Sequence, residues 1–161
     1  KMLFPDEIKE RYGITESVLV TRTSVLQKYR FPIIRNKSGD IEKFSPEGLL
    51  YNQIVKDGMY MAINKTIYIG EYQNDGLTNN LFTKTWVENY NTVLVALNNR
   101  YDYSKCYSFS IKSKARLKTI MNINALCMKL KLSIWENTPS IFLSVVLYIP
   151  SILFRKVRFG K

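Results

Sequence analysis

An α/β fold that gives way to a mainly helical C-terminal region is predicted by three observations. Short apolar or β-branched runs at residues 18–21, 59–63 and 65–69 have the length and composition of strands. A helix start is written between them, at Ser45-Pro46. From about Leu77 onward the apolar residues recur at three and four, which is the period of helices packed on a core.

Taken in order, Pro5, Asp6, Glu7, Ile8, Arg11, Tyr12 and Gly13 read as a short helix with an acidic start and a glycine stop. Residues 18–21 read as a buried strand. Thr23 is placed to cap a short helix through Ser24, Val25, Leu26 and Lys28, which ends before Tyr29-Arg30-Phe31-Pro32. The polar run 36–40, with Gly39, is a loop. Lys56-Asp57-Gly58 closes the next helix, two short strands follow, and residues 71–80 form a polar loop of the kind that carries binding residues. Leu81, Phe82, Trp86, Tyr90, Val93, Leu94 and Leu97 share one helical face and are expected in the core. After a break at 101–104, a second long helix places Ile120, Ile123, Cys127, Leu130 and Ile134 on its apolar side.

Composition limits what such a chain can do. It has 161 residues, enough for a real core, with 24 Lys and Arg against 13 Asp and Glu, so its net charge of +11 favours anionic partners. The basic residues are scattered over several elements and form no recognised nucleic-acid motif, so a nucleic-acid partner is not expected. There is no histidine, which removes His-ligated metals and histidine-activated nucleophiles. The two cysteines, Cys106 and Cys127, fit neither a metal site nor a disulfide framework, and a reducing, cytoplasmic setting follows. The chain begins with Lys1, so a segment upstream is expected.

The chemistry centres on Phe44-Ser45-Pro46-Glu47-Gly48-Leu49-Leu50-Tyr51-Asn52-Gln53-Ile54. Ser45 reads as the N-cap and Pro46 as the first helical residue, which puts Glu47 in the first turn. Leu50, Tyr51 and Ile54 lie three, four and seven residues on, along the same face. A carboxylate at the edge of a buried face is a candidate general base, because partial burial raises its pKa. A first-turn acid also complements the helix dipole with no catalytic role.

Ordered motifs connect this stretch to a known family. Val20-Thr21-Arg22-Thr23-Ser24-Val25-Leu26 is followed by an aromatic corner, Tyr29-Arg30-Phe31-Pro32; Glu47, Leu50, Ile54 and Gly58 then keep one helical spacing; and Glu71-Tyr72-Gln73-Asn74-Asp75-Gly76-Leu77-Thr78 follows. Together with Phe44-Ser45-Pro46-Glu47, these resemble the second half of a family-2, GT-A type glycosyltransferase, of the bacterial group that makes capsular and other cell-surface polysaccharides. The resemblance implies that Glu47 is the catalytic base and that Asp75, Thr78 and Asn79 contact donor or acceptor, although Asn74-Asp75-Gly76 also suffices for a plain turn. Pro46 departs from the family, which has Glu there.

The resemblance further implies an inverting transfer from a nucleotide-sugar donor to a saccharide or lipid-linked acceptor. It also implies a divalent cation, Mg or Mn, held by an Asp-x-Asp motif in the other half of such enzymes. Asp40-Ile41-Glu42 lies where the family has no metal ligand. Residues 1–80 are then the acceptor-side half of a GT-A type catalytic domain and 81–161 a helical extension.

From Thr138 to Phe154 the chain is uncharged, interrupted by Pro139 and Pro150 and closed by Arg155, Lys156, Arg158 and Lys161. Such a tail can lie in a membrane interface, dock on protein outside this chain, or span the bilayer. The basic end favours the cytoplasmic face, peripheral to the membrane. The alternative to an enzyme is a non-catalytic basic helical module that binds a membrane surface or a partner protein.

Overall fold

The computed structural model describes residues 2–3, 20–54, 57–58, 60–61, 63 and 80–160. The predicted helix near Pro5 to Tyr12, residues 18–19, the strand 65–69 and most of the loop 71–80 lie outside them.

The described residues form a helical protein, which corrects the α/β expectation. Their sheet is a two-residue antiparallel contact, β1 (Met2–Leu3) with β2 (Tyr60–Met61). Arg35 and Ile41 add an isolated bridge. The strand expected at 18–21 is not seen in its described part, since Val20 is 76% exposed and Val20 and Thr21 belong to no strand. Of the strand expected at 59–63, Tyr60–Met61 is β2, while Ile63 beyond it is exposed. A parallel sheet needs strands buried on both faces. Here the residues that reach the core recur at helical spacing instead.

The first helices are short: α1 (Thr23–Leu26) and α2 (Gly48–Ile54). The Thr23 hydroxyl does not cap α1; Arg22 occupies the N-cap position. A π-helical turn at Leu81–Thr85 leads into α3 (Trp86–Glu88) and then, past Asn89, into α4 (Tyr90–Tyr103). The sequence predicts one continuous helix here. The chain breaks at Asn89, whose φ of −120° and ψ of 41° leave the helical region, while its side chain binds back to the Thr85 carbonyl.

The organising element is α5 (Phe109–Leu130). Ile120, Ile123, Ala125, Leu126 and Cys127 on it are completely buried. Ile123, Ala125, Leu126 and Cys127 pack with Val93, Leu94 and Leu97 of α4, with Ile134, and with Phe159 near the C-terminus. Truncating any one of the large residues to Ala costs about 2–5 kcal/mol. The helix stops at Lys131, which has φ 55°, and Leu132 donates its N–H to the Cys127 carbonyl, a left-handed closure usually made by glycine. The chain turns back through α6 (Ile134–Asn137), α7 (Ile141–Val146) and α8 (Tyr148–Phe159). The Ser140 hydroxyl accepts the Leu143 N–H and caps α7.

Two buried polar groups fix the turn-back. Asn124 of α5, fully buried, donates to the Ser144 carbonyl, and the Ser144 hydroxyl shares a 2.7 Å bond with that of Thr138. Lys129 of α5 reaches the Phe159 carbonyl at 2.9 Å, a cation at the negative end of α8.

Candidate functional site

The residues before α2 are positioned by a hairpin. Asn36 accepts the backbone N–H groups of Ser38 and Asp40 through Oδ1, and Gly39 takes φ 91°, a value open to glycine. The turn brings Ile34 to Glu42, whose N–H donates to the Ile34 carbonyl. Glu42 then reaches the start of α4. Its Oε1 accepts the Asn91 N–H at 3.2 Å and its Oε2 accepts the Thr92 N–H at 2.6 Å. A carboxylate from 50 residues away thus caps the positive end of the helix. Phe44 donates its N–H to the Asn89 side chain, and Asn91 donates to the Arg35 carbonyl.

This docking carries α2 onto α4 and presents Glu47. Backbone bonds from Leu50 and Tyr51 to the Glu47 carbonyl close the first turn, close to the predicted start. The Ser45 hydroxyl is buried without a partner, so it does not cap the helix. Leu49, Asn52 and Ile54 face inward, whereas Glu47 is exposed. Glu47 therefore lies in water and off the buried face on which its spacing placed it. Burial raises the Tyr51 phenol, and the Glu47 carboxylate and Tyr60 add to the shift. Asp75, Thr78 and Asn79 lie outside the described residues, so Glu47 is the site residue that the structure places.

Among the described residues no three His, Cys, Asp or Glu side chains converge to hold a metal. Both Glu42 oxygens are already engaged by backbone N–H groups.

At the other end, the tail departs from a continuous apolar run. It breaks at Leu147, where ψ is 8°, ahead of Pro150 in the first turn of α8, a position where proline's missing N–H does no harm. No helix among the described residues is long and apolar enough to cross a membrane. On α8 the inward side carries Ser151 and Phe159, both buried, with Arg155 and Arg158 half-buried. The outward side is apolar apart from the exposed Lys156. Phe142, Val146, Ile149, Leu153 and Val157 follow one another at four, three, four and four residues, and all are exposed, Phe142 at 75% and Val157 at 88%.

Arg158 is held in an aromatic cage. Its guanidinium lies 3.6 Å from the Phe82 ring centroid and 5.2 Å from those of Trp86 and Phe154. Burial, and then the nearby Arg100, lower it to about 10, so it stays charged at neutral pH. This contact staples α8 to the π turn.

The spacing from Phe142 onward groups the ridge residues on one face, but an uninterrupted apolar run gives no sign of which face turns outward. The role of Glu42 had no sequence signal, because its partners are backbone N–H groups far along the chain.

Comparison with known proteins finds no matching family, no matching curated protein and no matching solved structure.

Proposed function

We propose that this chain docks peripherally on an anionic membrane surface through the ridge of α7 and α8. The observation that carries this reading is the outward apolar line Phe142, Val146, Ile149, Leu153 and Val157. A contiguous exposed apolar face of this kind marks an interaction surface. Charge chooses the partner. No Asp or Glu occurs after Glu136, while Arg155 and Lys156 fall within the last turn of the ridge and Lys161 follows it. A second copy would bring like charges together, whereas anionic head groups complement them. Trp135, 52% exposed, and Tyr148, 42% exposed, add side chains suited to the interface.

The test is co-sedimentation with phosphatidylcholine vesicles containing phosphatidylglycerol. The wild type is expected in the pellet at low salt and still partly there at high salt, since lipid burial resists screening. Ile149→Glu with Leu153→Glu is expected to weaken binding about a hundredfold or more, from the loss of two buried apolar side chains. A wild type that stays in the supernatant, or a double variant that binds equally, removes this reading.

A second reading, that the chain is the acceptor-side part of a glycosyltransferase, rests on the place of Glu47 in the first turn of α2, since its exposure leaves it accessible but without the burial that made it a candidate base. Its carboxylate is open to an acceptor hydroxyl at the start of α2. There Glu47 would take the proton as the oxygen attacks the anomeric carbon, with inversion. The nucleotide sugar and any divalent cation would be held by residues outside this chain, and the ridge would keep the enzyme beside lipid-linked acceptors. Glu47→Gln in the full-length enzyme is expected to lower kcat about 10²- to 10⁴-fold with KM little changed. An unchanged kcat rules out this role.

A further inference from the structure

Next to the ridge, the turn-back of the chain leaves a cleft of about 580 Å³ between the C-terminal end of α5, α6 and α8. Its lining is divided by chemistry. Lys131 and Arg155 supply two cations, Met128 and Ile152 are among its apolar side chains, and Trp135 and Tyr148 are its two aromatic ones. Among the described residues no carboxylate lines it. Among the described residues the ion pairs lie elsewhere, Lys28 with Asp57 and Lys105 with Asp102, and neither Lys131 nor Arg155 meets an acidic partner. Two unpaired cations beside an apolar wall suit a ligand that joins an anionic head to an apolar body.

The cleft and the ridge share one helix. Tyr148 and Ile152 line the cleft, and Ile149 and Leu153, one residue on in each case, stand on the ridge about 100° around α8. A lipid with its head in the cleft therefore has its acyl chains beside the ridge.

We propose that this cleft receives the phosphate of an anionic phospholipid, with Lys131 and Arg155 binding the phosphate oxygens and Trp135 and Tyr148 flanking the glycerol region. This rests on the membrane-docking reading and gives it head-group selectivity. Lys131 supplies its own control. At φ 55° a lysine occupies a conformation that glycine takes without strain. Lys131→Gly therefore removes the cation while leaving the fold at least as stable.

The experiment compares vesicle affinity across charge-matched variants, using phosphatidylcholine vesicles with and without phosphatidylglycerol. Lys131→Gly with Arg155→Gln is expected to reduce affinity for the anionic vesicles about tenfold or more, from two cations at the surface. Lys37→Gln with Lys114→Gln, an equal charge loss on exposed residues outside the cleft, is expected to reduce it less than about threefold. Lys131→Gly alone should weaken binding with an unchanged or raised melting temperature.

Equal losses from the two charge-matched pairs overturn the cleft and leave the ridge reading standing. A wild type that binds no vesicle removes both. Tryptophan fluorescence separates lipid from free phosphate. A response to inorganic phosphate, against chloride of matched ionic strength, that the cleft variants lose would assign the site to the free ion and overturn the lipid assignment.

Discussion

Lys131, Cys127 and Asn124 lie within two turns at the end of α5 and show three ways a single residue departs from its type. Lys131 holds a left-handed backbone that glycine would take without strain. Cys127 is a core residue as its spacing predicted, fully buried, and burial pushes its thiol up to about 11. The unfolded chain releases that proton near 9.0, so the folded state keeps a proton that the unfolded one loses. Its contribution is complete below about pH 9 and is lost as pH rises toward 11. Cys127→Ala should therefore flatten the alkaline fall in stability by about 2 kcal/mol over that window, read by urea titrations at several pH values. An identical alkaline slope in the variant would show that the thiol is not the group responsible. The exposed Cys106 should react with a thiol reagent in the native state, and Cys127 only on unfolding. Asn124→Ala deletes the donor to the buried Ser144 carbonyl and should destabilise by about 1–3 kcal/mol. A change near zero in denaturant unfolding would mean that water replaces the bond.

Elements end where the chain offers a better partner for the backbone than the next helical turn. The predicted helix from Leu81 to Leu97 is divided at Asn89 because its side chain serves both Thr85 and Phe44. That division creates the N-terminus of α4 and the free N–H groups that Glu42 binds. Glu42→Gln keeps the shape but removes the charge and one acceptor, and should cost about 1–2 kcal/mol. Faster amide exchange at Asn91 and Thr92, with α5 unchanged, is the accompanying signature, and unaltered exchange there would refute the capping role. At the other end, Leu147 and Pro150 divide the apolar tail into α7 and α8, each too short to cross a bilayer and together long enough to carry one ridge. By contrast, the Lys28–Asp57 pair contributes little, being exposed, even though Lys28 and then Tyr29 hold the Asp57 carboxyl below its usual range.

For the whole molecule, α5 is the axis on which α4 and α8 pack, so native-state hydrogen exchange should be slowest from Ile120 to Cys127. Slower exchange in α1 or α2 would place the stable centre elsewhere. Sequence alone determined the core face of α4 and that of α5 up to Leu130, the turn at Gly39 and the basic end of the tail; it carried the second helix on to Ile134, which the structure places in α6 beyond Lys131. These depend on spacing and on backbone preferences that act within a few residues. It did not determine the fold class, because a short β-branched run becomes a strand only where another strand pairs with it, and among the described residues that happens over two residues, Tyr60–Met61. Nor did it show that Glu47 would be exposed, since Leu49 rather than Leu50 turns inward once the hairpin sets the angle of α2 on α4. Only tertiary structure decided that Glu42 caps a helix 50 residues away, that Arg155 and Arg158 of α8 turn inward, and that Phe159 reaches the core while Ile149, Leu153 and Val157 turn out. Each of these depends on which distant groups meet, and local periodicity carries no information about that.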